Sequence, residues 1–352
     1  MSDHSKQGFA ERVVAWQRVA GRHDLPWQRT RDPYLIWLSE IMLQQTQVAA
    51  VIPFYLRFVA RFPNIGTLAM APLDDVLALW SGLGYYARAR NLHAAARTVM
   101  QRHAGIFPNT WADIVSLPGI GRSTAGAIAV FAFGARHCIL DGNVKRVLAR
   151  AFGIDGFPGE KKVEAVMWTC AETLLPAREL EAYTQGLMDL GAGICTRARP
   201  RCEDCPLNEV CVARRQGRVS LLPTPRPRKA LPEKSTVMLI LRRGDEILLE
   251  KRPVSGIWGG LWSFPEIADL QDAAAVLQLR FGVQAVSEGN LTCVRHGFTH
   301  YALTITPALL RVTRLELRVQ SGGQIWVTPC NAIHAAVPAP VRSLLQRLSS
   351  TA

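Results

Sequence analysis

From Glu11 to about Ala213 apolar residues recur at spacings of three and four, with Pro or Gly at the breaks, which predicts successive helices and no convincing strand. The pattern changes at Pro223. The stretch PTPRPRKALP, residues 223–232, holds four prolines and three basic residues, cannot sustain helix or sheet, and reads as an extended linker. Beyond it TVMLILRR, the turn Arg243-Gly244-Asp245 and EILLEKR predict a hairpin, followed by strand-like YALTITPALLRV and QIWV. The expected organisation is therefore multidomain. An all-α domain covers 1–222, the linker 223–233, and an α+β sheet domain 234–352.

Composition narrows the class. With 352 residues, 49% hydrophobic and 20% charged, the chain reads as folded and not disordered. The longest apolar run, Ala125 to Ala135, is eleven residues, short of the roughly 18 a spanning helix needs, so no membrane role is expected. The opening MSDHSKQGF lacks the basic and apolar regions of a signal peptide, which predicts a reducing, cytoplasmic setting and argues against disulfides. Lys plus Arg is 41 against 28 Asp plus Glu, a formal +13, which either aids solubility or points to a polyanionic partner.

Cys195, Cys202, Cys205 and Cys211 are separated by six, two and five residues. A structural zinc site usually pairs two short hooks across a longer loop, whereas this compact series has one hook and suits a 4Fe-4S cube. Arg197, Arg199, Arg201, Arg214 and Arg215 make it a polar loop rather than a core. From Leu190 to Ala230, nine basic residues face three acids, a balance suited to phosphates. Cys138, Cys170, Cys293 and Cys330 lack such spacing and read as small buried hydrophobes.

The string Leu117-Pro118-Gly119-Ile120-Gly121-Arg122-Ser123-Thr124-Ala125 leads into the apolar run GAIAVFAF. Two glycines followed by a helix N-terminus form an anion-binding nest of helix-hairpin-helix type, within 111–130; the alternative is a plain turn. Two carboxylates have contrasting surroundings. On a helix predicted over Pro33 to Gln45, Glu40 neighbours Ile36, Trp37, Leu43 and Gln44, so desolvation should raise its pKa and keep it protonated as a general acid, unless it lies on a solvated face. Asp141 precedes a helix beginning near Asn143, where it should stay ionised or serve only as an N-cap. One neutral acid and one fixed carboxylate are what glycosidic cleavage through an oxocarbenium-like state requires.

LSEIMLQQTQV, GLGYYARARNL, LPGIGRSTAGAI, LDGNVKRVLAR and the cysteine series, in this order, resemble adenine DNA glycosylases of the MutY type over nearly the whole chain. The resemblance implies a helix-hairpin-helix, iron-sulfur glycosylase with one 4Fe-4S cluster on Cys195, Cys202, Cys205 and Cys211. Its substrate would be double-stranded DNA with adenine opposite 8-oxoguanine or guanine, and the enzyme a monomer on the nucleoid. Glu40 would protonate the extruded adenine, Asp141 would stabilise the sugar cation, and Asn143 would support them. Gln45, Leu83 and Tyr85 would fill or wedge the gap in the duplex and Thr46 would also contact the DNA, with Gly82 and Gly84 marking Leu83 as an exposed loop tip. Gly119, Gly121, Arg122 and Ser123 would contact the DNA backbone. Ser123 stands where lyase-competent relatives carry a Schiff-base lysine, which implies a monofunctional enzyme, although Lys145 near Asp141 offers an adventitious amine.

The second domain resembles the MutT-like domain of the same family. A working diphosphate hydrolase needs glutamates on one helix for divalent metal, but AAAVLQLRFGV has Val276, Leu279 and Arg280 at those places. Phe298, Thr299 and His300 take the position of the Phe-Ser-His loop that reads 8-oxoguanine, with Thr299 departing from serine. Two rivals remain: an endonuclease III-like pyrimidine glycosylase and lyase, against which Ser123 and the second domain argue, and a non-catalytic iron-sulfur DNA-binding protein, which would need neither Glu40 nor Asp141.

Overall fold

The computed structural model describes residues 8–227, 230–316 and 323–350. The chain divides into two compact units, one from Met1–Met70 with Asn91–Arg228 and one from Ala71–Arg90 with Lys229–Ala352. The second unit thus recruits a short piece of the helical stretch.

Every regular element described in the first unit is helical. Its core joins Phe9 and Val13 to Leu148, Met167, Leu187 and Leu190, all nearly or fully buried, with Phe9 against Phe152 at a ring distance of 5.3 Å. Asp189, buried there, is satisfied: it accepts from the Arg22 guanidinium at 2.6 Å and from Gln185 at 2.8 Å. The helix Pro33–Leu43 starts where Asp32 accepts the Tyr34 N–H at 2.9 Å and Pro33 fills the first turn. Ile36, Trp37, Leu38, Ile41 and Met42 are buried, so Glu40 is the only acid of a helix apolar nearly all round. That helix packs against Arg122–Phe133, which follows Trp111–Ser116 and the turn Leu117–Gly121.

The helix Gly142–Phe152 begins at Asp141, whose Oδ1 accepts the Val144 N–H at 2.8 Å, and ends at Gly153 with φ +64°. Leu190–Ile194, a wide π-type turn ahead of Cys195, lies directly on it: a Cβ on Gly191 would fall 2.4 Å from Asn143 Cβ and 2.9 Å from its Cα.

The second unit is built on a mixed sheet of β1 Glu233–Arg243, β2 Glu246–Lys251, β3 Trp262–Ser263, β4 Glu266–Ile267, β5 Val283–Asn290, β6 Val294–Gly297, β7 Ala302–Leu315 and β8 Gln324–Val327. The order is β3-β2-β1-β7-β5, with β4 on β1, β6 on β7 and β8 on β2. β1 and β2 form the expected hairpin, turning at Gly244 with φ +60°, while β1 and β7 run parallel from Glu233 beside Ala302 to Arg242 beside Arg311. Leu239, Leu241, Leu248, Leu277, Phe281 and Leu310 fill one core. The segment where a working diphosphate hydrolase would carry metal-binding glutamates, and where none is expected here, folds as Ala273–Val276 and Leu277–Phe281, with Leu279 exposed and Arg280 paired to Glu250 at 2.6 Å.

Because Gly191 meets backbone as well as a side chain, Gly191→Ala should destabilise the protein by about 1–3 kcal/mol, read as a lower denaturation midpoint at unchanged slope.

Candidate active site

Glu40 lies in the wall of a cavity of about 810 Å³, together with Arg22, Trp27, Ser39, Leu180, Gln185 and Met188. Its residue is half-buried, and loss of water around the carboxyl pushes the pKa up to about 8, the Asp141 carboxylate adding to the rise. The two acids are therefore within electrostatic reach despite lying 101 positions apart in the chain.

Asp141 differs from the simple expectation for a helix start. Its pKa is also raised, because burial outweighs the groups that favour the anion: the Val144 and Asn143 N–H groups, Arg146, and the Asn143 side chain. Asn143 Nδ2 donates to Asp141 Oδ2 at 3.4 Å, and its Oδ1 accepts from Arg146 at 2.8 Å. Arg146 also donates to Gly191 O at 2.6 Å and Cys195 O at 2.7 Å, which links the carboxylate to the cysteine loop.

In the hairpin only Gly119 uses the left-handed region, with φ +80°, and its Cβ would lie 2.7 Å from Asn91 Cβ. Gly121 has an ordinary extended backbone and nothing of the protein within 4 Å of the corresponding point. Arg122 ion-pairs with Glu172 and stacks over Trp168 at 3.9 Å. Ser123 Oγ accepts the Leu140 N–H at 3.0 Å and so holds the residue next to Asp141. Lys145 Nζ is bound to Glu164 at 2.6 Å and Pro158 O at 3.3 Å.

Cys195, Cys202, Cys205 and Cys211, all half-buried, line one cavity of about 30 Å³ with Arg150 and Arg214. Arg150 donates to Cys195 Sγ at 3.4 Å, Thr196 O at 2.7 Å and Leu222 O at 2.7 Å. Burial pushes the Cys205 thiol up to about 12 and raises Cys211, the neighbouring sulfurs adding to both. Among the described residues no three His, Cys, Asp or Glu close on a single ion. The other cysteines only partly follow expectation: Cys170 is buried and Cys138 half-buried, but Cys293 and Cys330 are exposed because they lie at the unit's surface and not in its core.

Gln45 is exposed with φ +58°, and Thr46 N–H returns to Leu43 O at 3.1 Å, closing the end of the Glu40 helix. In the second unit Tyr85 is 47% exposed with φ +51°. Leu83 is 7% exposed, contrary to the loop tip expected from Gly82 and Gly84. Those glycines do take φ +107° and +77°, but the turn they make folds Leu83 inward, with its N–H on Trp80 O at 3.0 Å. Phe298 is half-buried against Trp258, His296 and Tyr301, while Thr299 and His300 are exposed.

Residues 38–172 match the HhH-GPD superfamily of base excision DNA repair proteins, and residues 236–347 match the NUDIX domain. An adenine DNA glycosylase of Buchnera aphidicola (from Acyrthosiphon pisum) is 38% identical over 97% of this chain and 98% of its own. The human adenine DNA glycosylase is 35% identical over 84% of this chain and 65% of its own. The chain belongs to the adenine DNA glycosylase family. Among solved structures, a thermostable thymine-DNA glycosylase superposes with a TM-score of 0.56 at 30% identity, over 61% of this chain and 98% of that one. Endonuclease III in a DNA complex, at 21% identity, shares the fold with a TM-score of 0.53, over 62% of this chain and 98% of that one.

Sequence reasoning missed several groups of this glycosylase. Arg22 and Trp27 meet Gln185, more than 150 residues further along the chain, in the Glu40 cavity, and no local pattern marks them. Arg146 was accessible in principle, since it follows Asn143 at i+3 on one helix face.

Burying the Glu40 carboxylate costs stability only once it ionises, so the contribution of the protonated group is full below the unfolded value of 4.5 and is lost as pH rises through about 8. Glu40→Gln should therefore melt higher than the parent at pH 9, with the advantage gone at pH 5. Gly119→Ala should lower stability by about 1–3 kcal/mol, whereas Gly121→Ala should leave the denaturation midpoint unchanged and weaken binding to duplex DNA.

Proposed function

We propose that this enzyme hydrolyses the N-glycosidic bond of adenine opposite 8-oxoguanine or guanine, leaving an abasic site, as a monofunctional glycosylase working as a monomer on the nucleoid. The observation that carries the reading is the Glu40 carboxyl, protonated near neutrality in a cavity wall with the Asp141 carboxylate close by. Adenine is a poor leaving group as an anion, and the Glu40 proton, delivered to a ring nitrogen, lets it depart neutral. The bonding pair leaves with the base, the sugar becomes oxocarbenium-like, and Asp141 stabilises that charge with Asn143 fixing its carboxylate. Water adds to the anomeric carbon and its proton returns to a carboxylate. The cavity volume and the presence of Trp27, Arg22 and Gln185 suit an extruded purine.

Gly119, Gly121, Arg122 and Ser123 serve the DNA backbone in this reading. The open side of Gly121 allows close approach of a phosphate, and Arg122 contributes a charge already oriented by Glu172 and Trp168. Gln45, Leu83 and Tyr85 serve the gap left in the stack, with Tyr85 already exposed, and Thr46 contacts the DNA beside Gln45. Phe298, Thr299 and His300 read 8-oxoguanine on the opposite strand. The engagement of Lys145 with Glu164 supports the absence of lyase chemistry.

Cys195, Cys202, Cys205 and Cys211 hold one 4Fe-4S cluster. The four cysteines line one small cavity, and the Cys205 and Cys211 thiols, whose ionisation burial disfavours, become thiolate ligands beside a strong positive charge. When bound, the cluster supplies metal–thiolate bonds that cross-link the basic loop.

Single-turnover incubation with adenine opposite 8-oxoguanine, and with thymine glycol opposite adenine, should give scission at adenine only and only after alkali. Glu40→Gln should slow it by about 10² or more. Alkali-independent scission at thymine glycol would transfer the protein to the lyases, and binding without scission would make it a DNA reader. Cys205→Ser should abolish iron retention, measured as iron per chain, and reduce affinity for duplex DNA.

A further inference from the structure

The segment Ala71–Arg90, which contains Leu83 and Tyr85, is part of the same compact unit as the sheet. It is fastened there by directional bonds at both ends of the loop. Arg342, on the helix Ala339–Ser350, donates to Ser81 Oγ at 2.7 Å and to Ile333 O at 2.6 Å. Ser81 Oγ donates to Val337 O at 2.9 Å. At the far end the Tyr86 hydroxyl lies 3.3 Å from both Val337 O and Ser81 Oγ, and accepts the Gly82 N–H at 3.4 Å. Residues 81 to 86 thus hang from one turn of the C-terminal segment. Trp80 Nε1 and Arg88 both donate to Gly84 O, at 3.1 and 3.0 Å, and fix the tip between them.

A second tie reaches the reading loop. Arg90 donates to Gly259 O at 2.7 Å. Gly259 is wedged so tightly that a Cβ would fall 2.1 Å from Val254 O, and it follows Trp258, which is 8% exposed and held at φ +53°. A tryptophan in the left-handed region persists only where its surroundings impose it. The surroundings here are Phe298 at a ring distance of 5.4 Å and His296 at 5.5 Å, with Arg252 over the indole at 5.6 Å. One unbroken series of contacts therefore runs from Arg90 through Gly259 and Trp258 to Phe298.

We propose that Arg90 and Arg342 are positioning residues that set the loop of Leu83 and Tyr85 and the loop of Phe298 to His300 as one piece, so that the opposite base governs how readily adenine is extruded. Resting on the function proposed above, this goes beyond it by assigning the coupling to named side chains that touch neither base. Arg90 and Arg342 bond neutral oxygens, so their contribution is direction and not charge neutralisation. Trp258 is held in its left-handed conformation partly by Phe298, so a change at Phe298 is felt at Trp258 and, through Gly259, at Arg90.

The test uses the full chain in single-turnover excision of adenine opposite 8-oxoguanine and opposite guanine, reading the ratio of the two rates. Wild type, Phe298→Ala, Arg90→Ala, Arg342→Ala, Arg342→Lys and the Arg90→Ala/Phe298→Ala double variant are compared. The parent should favour 8-oxoguanine, and Phe298→Ala and Arg90→Ala should each narrow the ratio by about tenfold. The double variant should narrow it no further, and Arg342→Lys should recover part of what Arg342→Ala loses, since an ammonium can still donate to Ser81. A ratio unchanged in Arg90→Ala and Arg342→Ala, equal slowing on both duplexes, or losses that multiply in the double variant would overturn the coupling. A parent that excises no adenine would sink the proposed function instead.

Discussion

The arrangement depends on keeping water from one carboxyl. Glu40 sits on a helix whose other side chains are mostly buried hydrophobes, and the same burial that stabilises the helix denies its only acid full hydration. Desolvation favours the neutral form, and the nearby Asp141 carboxylate favours it further. A proton donor at neutral pH is thus a by-product of packing, and no separate device is needed to make it.

The second carboxylate is handled by the opposite means. Asp141 is buried as well, but it is also an N-cap, so backbone N–H groups, Asn143 and Arg146 all pull toward the anion while burial pulls away. The residue that starts the helix Gly142–Phe152 is then the residue available to a developing sugar cation. Arg146 extends the support outward to Gly191 and Cys195, and the missing side chain at Gly191 lets the turn before the cysteines lie against Asn143. Asp141 and the cysteine loop are thus joined through one helix.

Much of this was legible in the residues. The apolar neighbours of Glu40 at i−4, i−3 and i+3 announced its desolvation, and Asp141-Gly142-Asn143 announced a helix start. The strands of the first hairpin were visible as short apolar runs on either side of Gly244. Two kinds of fact were not. Long-range assembly, such as Arg22 on Asp189 or the recruitment of Ala71–Arg90 by the sheet-bearing segment, leaves no local trace. Net balances also escape pattern reading: Gly82 and Gly84 correctly marked a tight turn, but whether that turn sends Leu83 outward or inward depends on packing, and it is buried.

The central claim is that Glu40 holds its proton through neutrality. It is tested most directly by a carboxyl-carbon NMR titration of protein labelled at glutamate, compared with the Glu40→Gln variant to assign the resonance. A midpoint near 8 for the resonance missing in the variant is the predicted result. A midpoint near the ordinary 4.5 would mean that the carboxyl is hydrated and ionised at neutral pH, and that the proton for the leaving base comes from elsewhere.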